Sequence, residues 1–213
     1  AIDPTSPDTI YAGTHSMGVF KSTDSGDSWT EKSAGLVTSG HPFTDNLKIR
    51  SLAIDPANPQ RLVAGVWGGN GVLLSNTGGE SWRVAGAGLV ASRVRTVAIQ
   101  PGDASLIYAG RAEGSPVFFH GPDAGTRWTS FPEQSQGNWS SFPLVSAIEV
   151  SPTDGKTIFL GVYRLGVIRS TDGGATWSVA NRGLSATSVT ALASVPGETE
   201  TLYASTLDSG ILR

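Results

Sequence analysis

Ser170-Thr171-Asp172-Gly173-Gly174-Ala175-Thr176-Trp177 is the stretch that decides the fold, because the chain repeats it three more times with wear. The other copies are Ser22-Thr23-Asp24-Ser25-Gly26-Asp27-Ser28-Trp29, Ser75-Asn76-Thr77-Gly78-Gly79-Glu80-Ser81-Trp82 and Gly121-Pro122-Asp123-Ala124-Gly125-Thr126-Arg127-Trp128. An Asp side chain hydrogen-bonds backbone N–H groups just ahead of it and Gly supplies a positive φ, so Asp-x-Gly reads as a self-bracing hairpin turn. The Ser/Thr hydroxyl adds a local bond, and Trp lays a large apolar face under the turn with its N–H available to a partner. On this reading Asp24, Gly26, Trp29, Gly79, Trp82, Asp123, Gly125, Trp128, Asp172, Gly174 and Trp177 are scaffold. Thr77 fills the Asp slot of the second copy and Gly121 the first Ser slot of the third, so these two turns are expected to be the looser ones.

Outward from the phrase the repeat is longer. Apolar strands end in Pro4, Pro56, Pro101, Pro152 and Pro196, separated by 52, 45, 51 and 44 residues, the size of a four-stranded propeller blade. Second strands follow, such as Thr9-Ile10-Tyr11-Ala12-Gly13 and Leu106-Ile107-Tyr108-Ala109-Gly110. Short β-branched and aromatic runs bounded by Gly, Pro, Asp and Ser, with no sustained helical period, predict an all-β protein. The expected architecture is a single β-propeller domain, or a segment of one, built of antiparallel four-stranded blades. Four carry the phrase and a fifth is truncated, with blades near residues 1–36, 49–89, 94–131, 146–184 and 189–213. The fifth unit stops in its third strand at Gly210-Ile211-Leu212-Arg213, which reads as an excerpt of a longer propeller.

Composition narrows the function classes. The 213 residues include 27 Gly and 12 Pro with 15% charged residues, a turn-dense balance. Zero Cys excludes disulfides and Cys-ligated metal. A net charge of −3 without a basic stripe argues against nucleic acid, and no apolar run reaches membrane-spanning length. His15, His41 and His120 lack ligand spacing, so no metal or other cofactor is expected.

The phrase at 170–177 resembles the Asp-box, or bacterial neuraminidase repeat, and the similarity covers essentially the whole chain. Families that carry it include sialidases, xyloglucanases, sortilin-type receptors and photosystem II assembly-factor propellers. The resemblance implies that the Asp-box turns lie on the face away from the ligand site, and that the protein works outside the cytoplasm, secreted or periplasmic.

In a propeller the second-to-third loops and the inter-blade crossovers share the other face. Length variation falls there: Trp29 to Ala53 spans 24 residues and Trp128 to Ile148 spans 20, against 16 for Trp82 to Ala98 and for Trp177 to Ala193. The longer crossovers bring His41, Phe43, Asp45 and Trp139. The second-to-third loops bring Trp67, Asn70, Arg111, Glu113, Tyr163, Arg164 and Asp208. Loops on a rigid scaffold carry binding residues disproportionately. Trp67, Trp139 and Tyr163 stand outside the repeat's aromatic slots and are candidates to stack on sugars or anchor a protein.

Enzyme chemistry finds less support in the residues. A sialidase needs a Tyr nucleophile and an Arg triad, yet Tyr11, Tyr108 and Tyr203 share one structural slot and the Phe-Arg-Ile-Pro signature is absent. Other glycosidases need two carboxylates about 5–10 Å apart. Turn residues aside, Asp45, Glu113, Glu133 and Asp208 remain, none paired in sequence. The expectation is therefore a non-catalytic platform binding another protein or a glycan, with a xyloglucanase- or sialidase-type glycoside hydrolase, or part of one, as the alternative.

Overall fold

The computed structural model describes residues 1–36, 47–67, 70–86, 88–89, 93–112, 117–131, 144–184, 188–195, 201–207 and 209–213. They form five antiparallel sheets met in chain order, each a meander of consecutive strands. The first comprises β1 (Ile10–Gly13), β2 (Val19–Ser22) and β3 (Thr30–Glu31), with Ile2 bridged to Ile10 beside them. The second comprises β4 (Ile49–Asp55), β5 (Asn58–Val66), β6 (Val72–Ser75) and β7 (Arg83–Val84). The third comprises β8 (Val94–Ile99), β9 (Ile107–Arg111), β10 (Phe118–Gly121) and β11 (Thr129–Ser130). The fourth comprises β12 (Val145–Val150), β13 (Ile158–Val162), β14 (Gly166–Ser170) and β15 (Ser178–Val179). The fifth has three strands, β16 (Val189–Ser194), β17 (Leu202–Thr206) and β18 (Gly210–Leu212).

The core lies between the sheets. First strands pack side by side, β4 on β8, β8 on β12 and β12 on β16, so each sheet faces its neighbours. A recurring Gly at the end of the second strand makes the close approach possible. A Cβ at Gly110 would come within 2.7 Å of Val145 Cγ1, and one at Gly161 within 2.8 Å of Val189 Cγ1. Aromatic slots fill the wedge further out. Phe118 and Phe131 of the third unit stack at 4.6 Å, and the Trp177 ring from the fourth stands perpendicular to both.

The repeated turns explain their own residues. At Asp172 the carboxylate accepts from Thr176 N–H at 2.8 Å, from the Thr176 hydroxyl and from Ser170 Oγ, while Ser170 Oγ accepts from Gly174 N–H. Trp177 Nε1 donates to Gly174 O at 3.0 Å. Asp24 repeats the pattern with Ser22 and Ser28. The second turn keeps the same frame with longer contacts. Thr77 Oγ1 accepts from Ser81 N–H at 3.0 Å and Ser75 Oγ from Gly79 N–H at 3.0 Å, so a hydroxyl reproduces the Asp geometry. The third turn is rewired. With no hydroxyl at Gly121, Asp123 and Ala124 adopt left-handed φ of 53° and 60°, and the Asp123 carboxylate lies 3.7 Å from Arg127.

Candidate functional site

Hydrogen bonds fix which groups share an end of each sheet. The turn phrases bond to residues just before or at the start of the second strands, Ser25 N–H to Asp8 O, Gly78 N–H to Gln60 O and Gly173 N–H to Lys156 O. At the opposite end, the residue after each second strand donates to the residue before the first strand of its own sheet: Trp67 to Lys48, Tyr163 to Leu144 and Leu207 to Ser188, at 2.9–3.1 Å. Ala112 does the same to Arg93 at 2.9 Å. Trp67, Ala112, Tyr163 and Leu207 therefore occupy one structural position in four successive sheets. Antiparallel pairing puts this loop end opposite the turn end.

A β-bulge recurs at the same end. The register slips between Ile49 and Ser51, Val94 and Thr96, Val145 and Ala147, and Val189 and Ala191, one slip at the start of each of four first strands. A bulge re-aims the extra residue's side chain. In the second sheet that residue is Arg50, whose guanidinium sits 4.9 Å from the centre of the half-buried Trp67 ring. Arg93, bridged to Trp67 through the backbone, brings a second guanidinium to 5.6 Å. Two cations against one indole hold the ring in place through its negative π face.

Tyr163 opens the three-residue loop between β13 and β14, closed by Leu165 N–H to Val162 O. Arg164 takes a left-handed φ of 64° there, and its guanidinium lies 5.3 Å from the Tyr163 ring. Arg111, at the end of β9, lays its guanidinium 5.8 Å from Phe119 of its own sheet. Asn70 caps the start of β6, its carbonyl accepting from Val72 N–H at 2.8 Å. His41, Phe43, Asp45, Glu113, Glu133, Trp139 and Asp208 lie outside the described residues. These include all four carboxylates, Asp45, Glu113, Glu133 and Asp208, that the sequence left for a hydrolytic pair. Among the described residues no three His, Asp or Glu cluster as metal ligands.

Sequence reading missed Arg50 and Arg93. Their signal was present in Lys48-Ile49-Arg50 and Arg93-Val94-Arg95, where cations alternate with β-branched residues at two first-strand starts. It went unread because the bulge that turns Arg50 toward Trp67 has no sequence signature of its own.

Five meandering sheets packed through their first strands define an all-β, propeller-like class, and solved structures agree. The GH74 xyloglucanase of Xanthomonas campestris superposes over 97% of this chain and 34% of its own, at a TM-score of 0.73 and 19% identity. YCF48 bound to D1 peptide superposes over 95% of this chain and 60% of its own, at 0.62 and 13%. Likeness at these identities speaks for the fold. Among curated proteins, a xyloglucanase of Paenibacillus sp. is 28% identical over 206 residues, 80% of this chain and 20% of that protein. Xyloglucanase Xgh74A of Acetivibrio thermocellus is 27% identical over 216 residues, 81% of this chain and 24% of that protein. The chain thus spans about a fifth to a quarter of the relatives it matches. No protein-family model matches it. The expectation of a non-enzyme is overturned here, since both curated relatives are xyloglucanases along four-fifths of the chain.

Proposed function

We propose that this chain is a five-blade array of Asp-box type that forms part of a xyloglucanase-like glycoside hydrolase acting outside the cytoplasm, with blades near 1–36, 49–89, 94–131, 146–184 and 189–213. The loop end holds the glycan. Trp67, clamped by Arg50 and Arg93, is the observation that carries the reading. A flat ring fixed at the loop end is a stacking platform for a pyranose face, and the flanking guanidiniums offer donors to sugar hydroxyls. Tyr163, at the equivalent position two sheets on, is a second platform along an extended chain. Asn70, Arg111 and Arg164 line the same end among the described residues. His41, Phe43, Asp45, Glu113, Trp139 and Asp208 are assigned there from their loops alone.

The reading is consistent with the similarity to xyloglucanases over 206 residues. It is tested by titrating xyloglucan oligosaccharides into the 213-residue protein and its Trp67→Ala variant. Loss of a stacked indole weakens binding by about tenfold or more, on the scale of 1.4 kcal/mol per decade. Unchanged affinity in Trp67→Ala, with the fold intact by circular dichroism, would remove Trp67 from the site.

A further inference from the structure

The bulge that starts the first strands holds two kinds of residue. In the fourth and fifth sheets the extra residue is Ser146 or Thr190, and its hydroxyl folds back onto the backbone: Ser146 Oγ donates to Gly161 O at 2.9 Å and Thr190 Oγ1 to Ser205 O at 3.2 Å. A short hydroxyl therefore suffices at this position. In the second and third sheets the same position holds Arg50 and Arg95. Because β4 packs beside β8, the two arginines occupy corresponding places on neighbouring first strands. Bulge formation does not account for a guanidinium at either place.

Charge divides between the two ends of the sheets in the same sense. Lys48, Arg50, Arg93, Arg95, Arg111 and Arg164 stand at the loop end, and among the described residues no carboxylate does. The described carboxylates gather toward the turns, with Asp24, Glu80 and Asp172 in the repeated phrase and Asp55, Asp103 and Asp154 in the proline turns. Asp45, Glu113, Glu133 and Asp208, in loops outside the described residues, are fewer than these six cations, so the loop end is net positive in a chain whose formal charge is −3. A surface of one sign on a protein of the opposite net charge draws ligands of the other sign.

We infer that the glycan held at this end carries carboxylates, as uronate residues, and that Arg50 and Arg95 receive them, an assignment that rests on the glycan reading and narrows its substrate class. Trp67 prepares one of the two. Its ring keeps the Arg50 guanidinium at 4.9 Å, with that of Arg93 at 5.6 Å, so Arg50 has less side-chain freedom to lose on binding. A braced guanidinium presents a planar fork of donors that matches the two oxygens of a carboxylate, which a sugar hydroxyl cannot engage in the same way. A neutral sugar gains hydrogen bonds there but no Coulomb attraction. Arginines at corresponding places on neighbouring strands suit carboxylates repeated along an extended chain.

The test compares one ligand with its own oxidised form. Xyloglucan oligosaccharides, and the same oligosaccharides with their primary C6 hydroxyls oxidised to carboxylates, are titrated calorimetrically into the 213-residue protein. At low ionic strength the oxidised form is expected to bind at least about tenfold more tightly, and to lose most of that advantage near 1 M salt, where the screening length is about 3 Å. Arg50→Gln and Arg95→Gln keep hydrogen-bonding capacity and drop the charge, and each should cut the preference for the oxidised form by about threefold or more. Should a variant misfold, the two titrations of the unaltered protein still decide the matter. Equal binding of the two forms, or a full preference retained in both glutamine variants, would overturn the inference and leave the glycan reading standing. Binding of neither form would bring down the glycan reading, and the inference with it.

Discussion

At Asp24 and Asp172 the donors around the carboxylate prefer its charged form. The hydroxyls of Ser22 and Ser28, and the hydroxyl and N–H of Thr176, pull the two pKa values down to about 2. A depressed carboxylate contributes stability that is complete above its unfolded value near 3.9 and is lost as pH falls through the folded value. The urea midpoint should therefore fall between about pH 4 and pH 2, and the double variant Asp24→Asn/Asp172→Asn should show a shallower fall over that window. An identical acid limb in the variant would show that the turns do not carry it. Tyr108 works in the opposite sense. Burial pushes its phenol up to about 12 with help from the Asp103 charge, and it stays a donor to Gln100 Oε1 at 2.8 Å. Tyr108→Phe should lose about 1 kcal/mol in denaturant titration, the net scale of one buried hydrogen bond. These roles were legible because turn chemistry is local: Asp-x-Gly-x-Thr carries its own donors and acceptors. At Thr77 one hydroxyl oxygen fills the place of the two carboxylate oxygens, and its contacts there are longer than those at Asp172.

Between strands, what sequence carried was spacing, and what it could not carry was register. Proline and aromatic periodicity set the expected spacing of the units, because each unit must bury the same wedge against its neighbour. The bulges that start β4, β8, β12 and β16 were invisible, because they arise from how two strands pair rather than from any residue type. Arg50 was overlooked as a consequence. The glycines at the ends of the second strands lie between these cases, legible as a pattern with a cause that only packing shows. At Gly110 a Cβ would lie 2.7 Å from both Thr96 Cγ2 and Val145 Cγ1, inside contact distance. Gly110→Ala should accordingly destabilise the protein by about 1–3 kcal/mol through overpacking. Chemical denaturation measures this directly, and a neutral result would mean that β12 can slide away from β9.

Across the molecule, exposure of the repeat's own slots rises at the two ends. Trp29 is 42% exposed where Trp82, Trp128 and Trp177 are at most 8%, and Tyr203 is 40% exposed where Tyr11 and Tyr108 are at most 2%. The Trp slot is covered by the preceding sheet and the Tyr slot by the following one, as Tyr11 shows by donating to Gly78 O across the first interface. A stack in which each unit leans only on its neighbours has stability that sums along the array, so units with one neighbour open first. Amide exchange should be slowest in β8–β10 and β12–β14, and fastest in β1–β3 and in β17–β18, which pack on a small buried cluster of Val167, Val189 and Ala204 among the described residues. Uniform protection across all five sheets would contradict neighbour-limited stability.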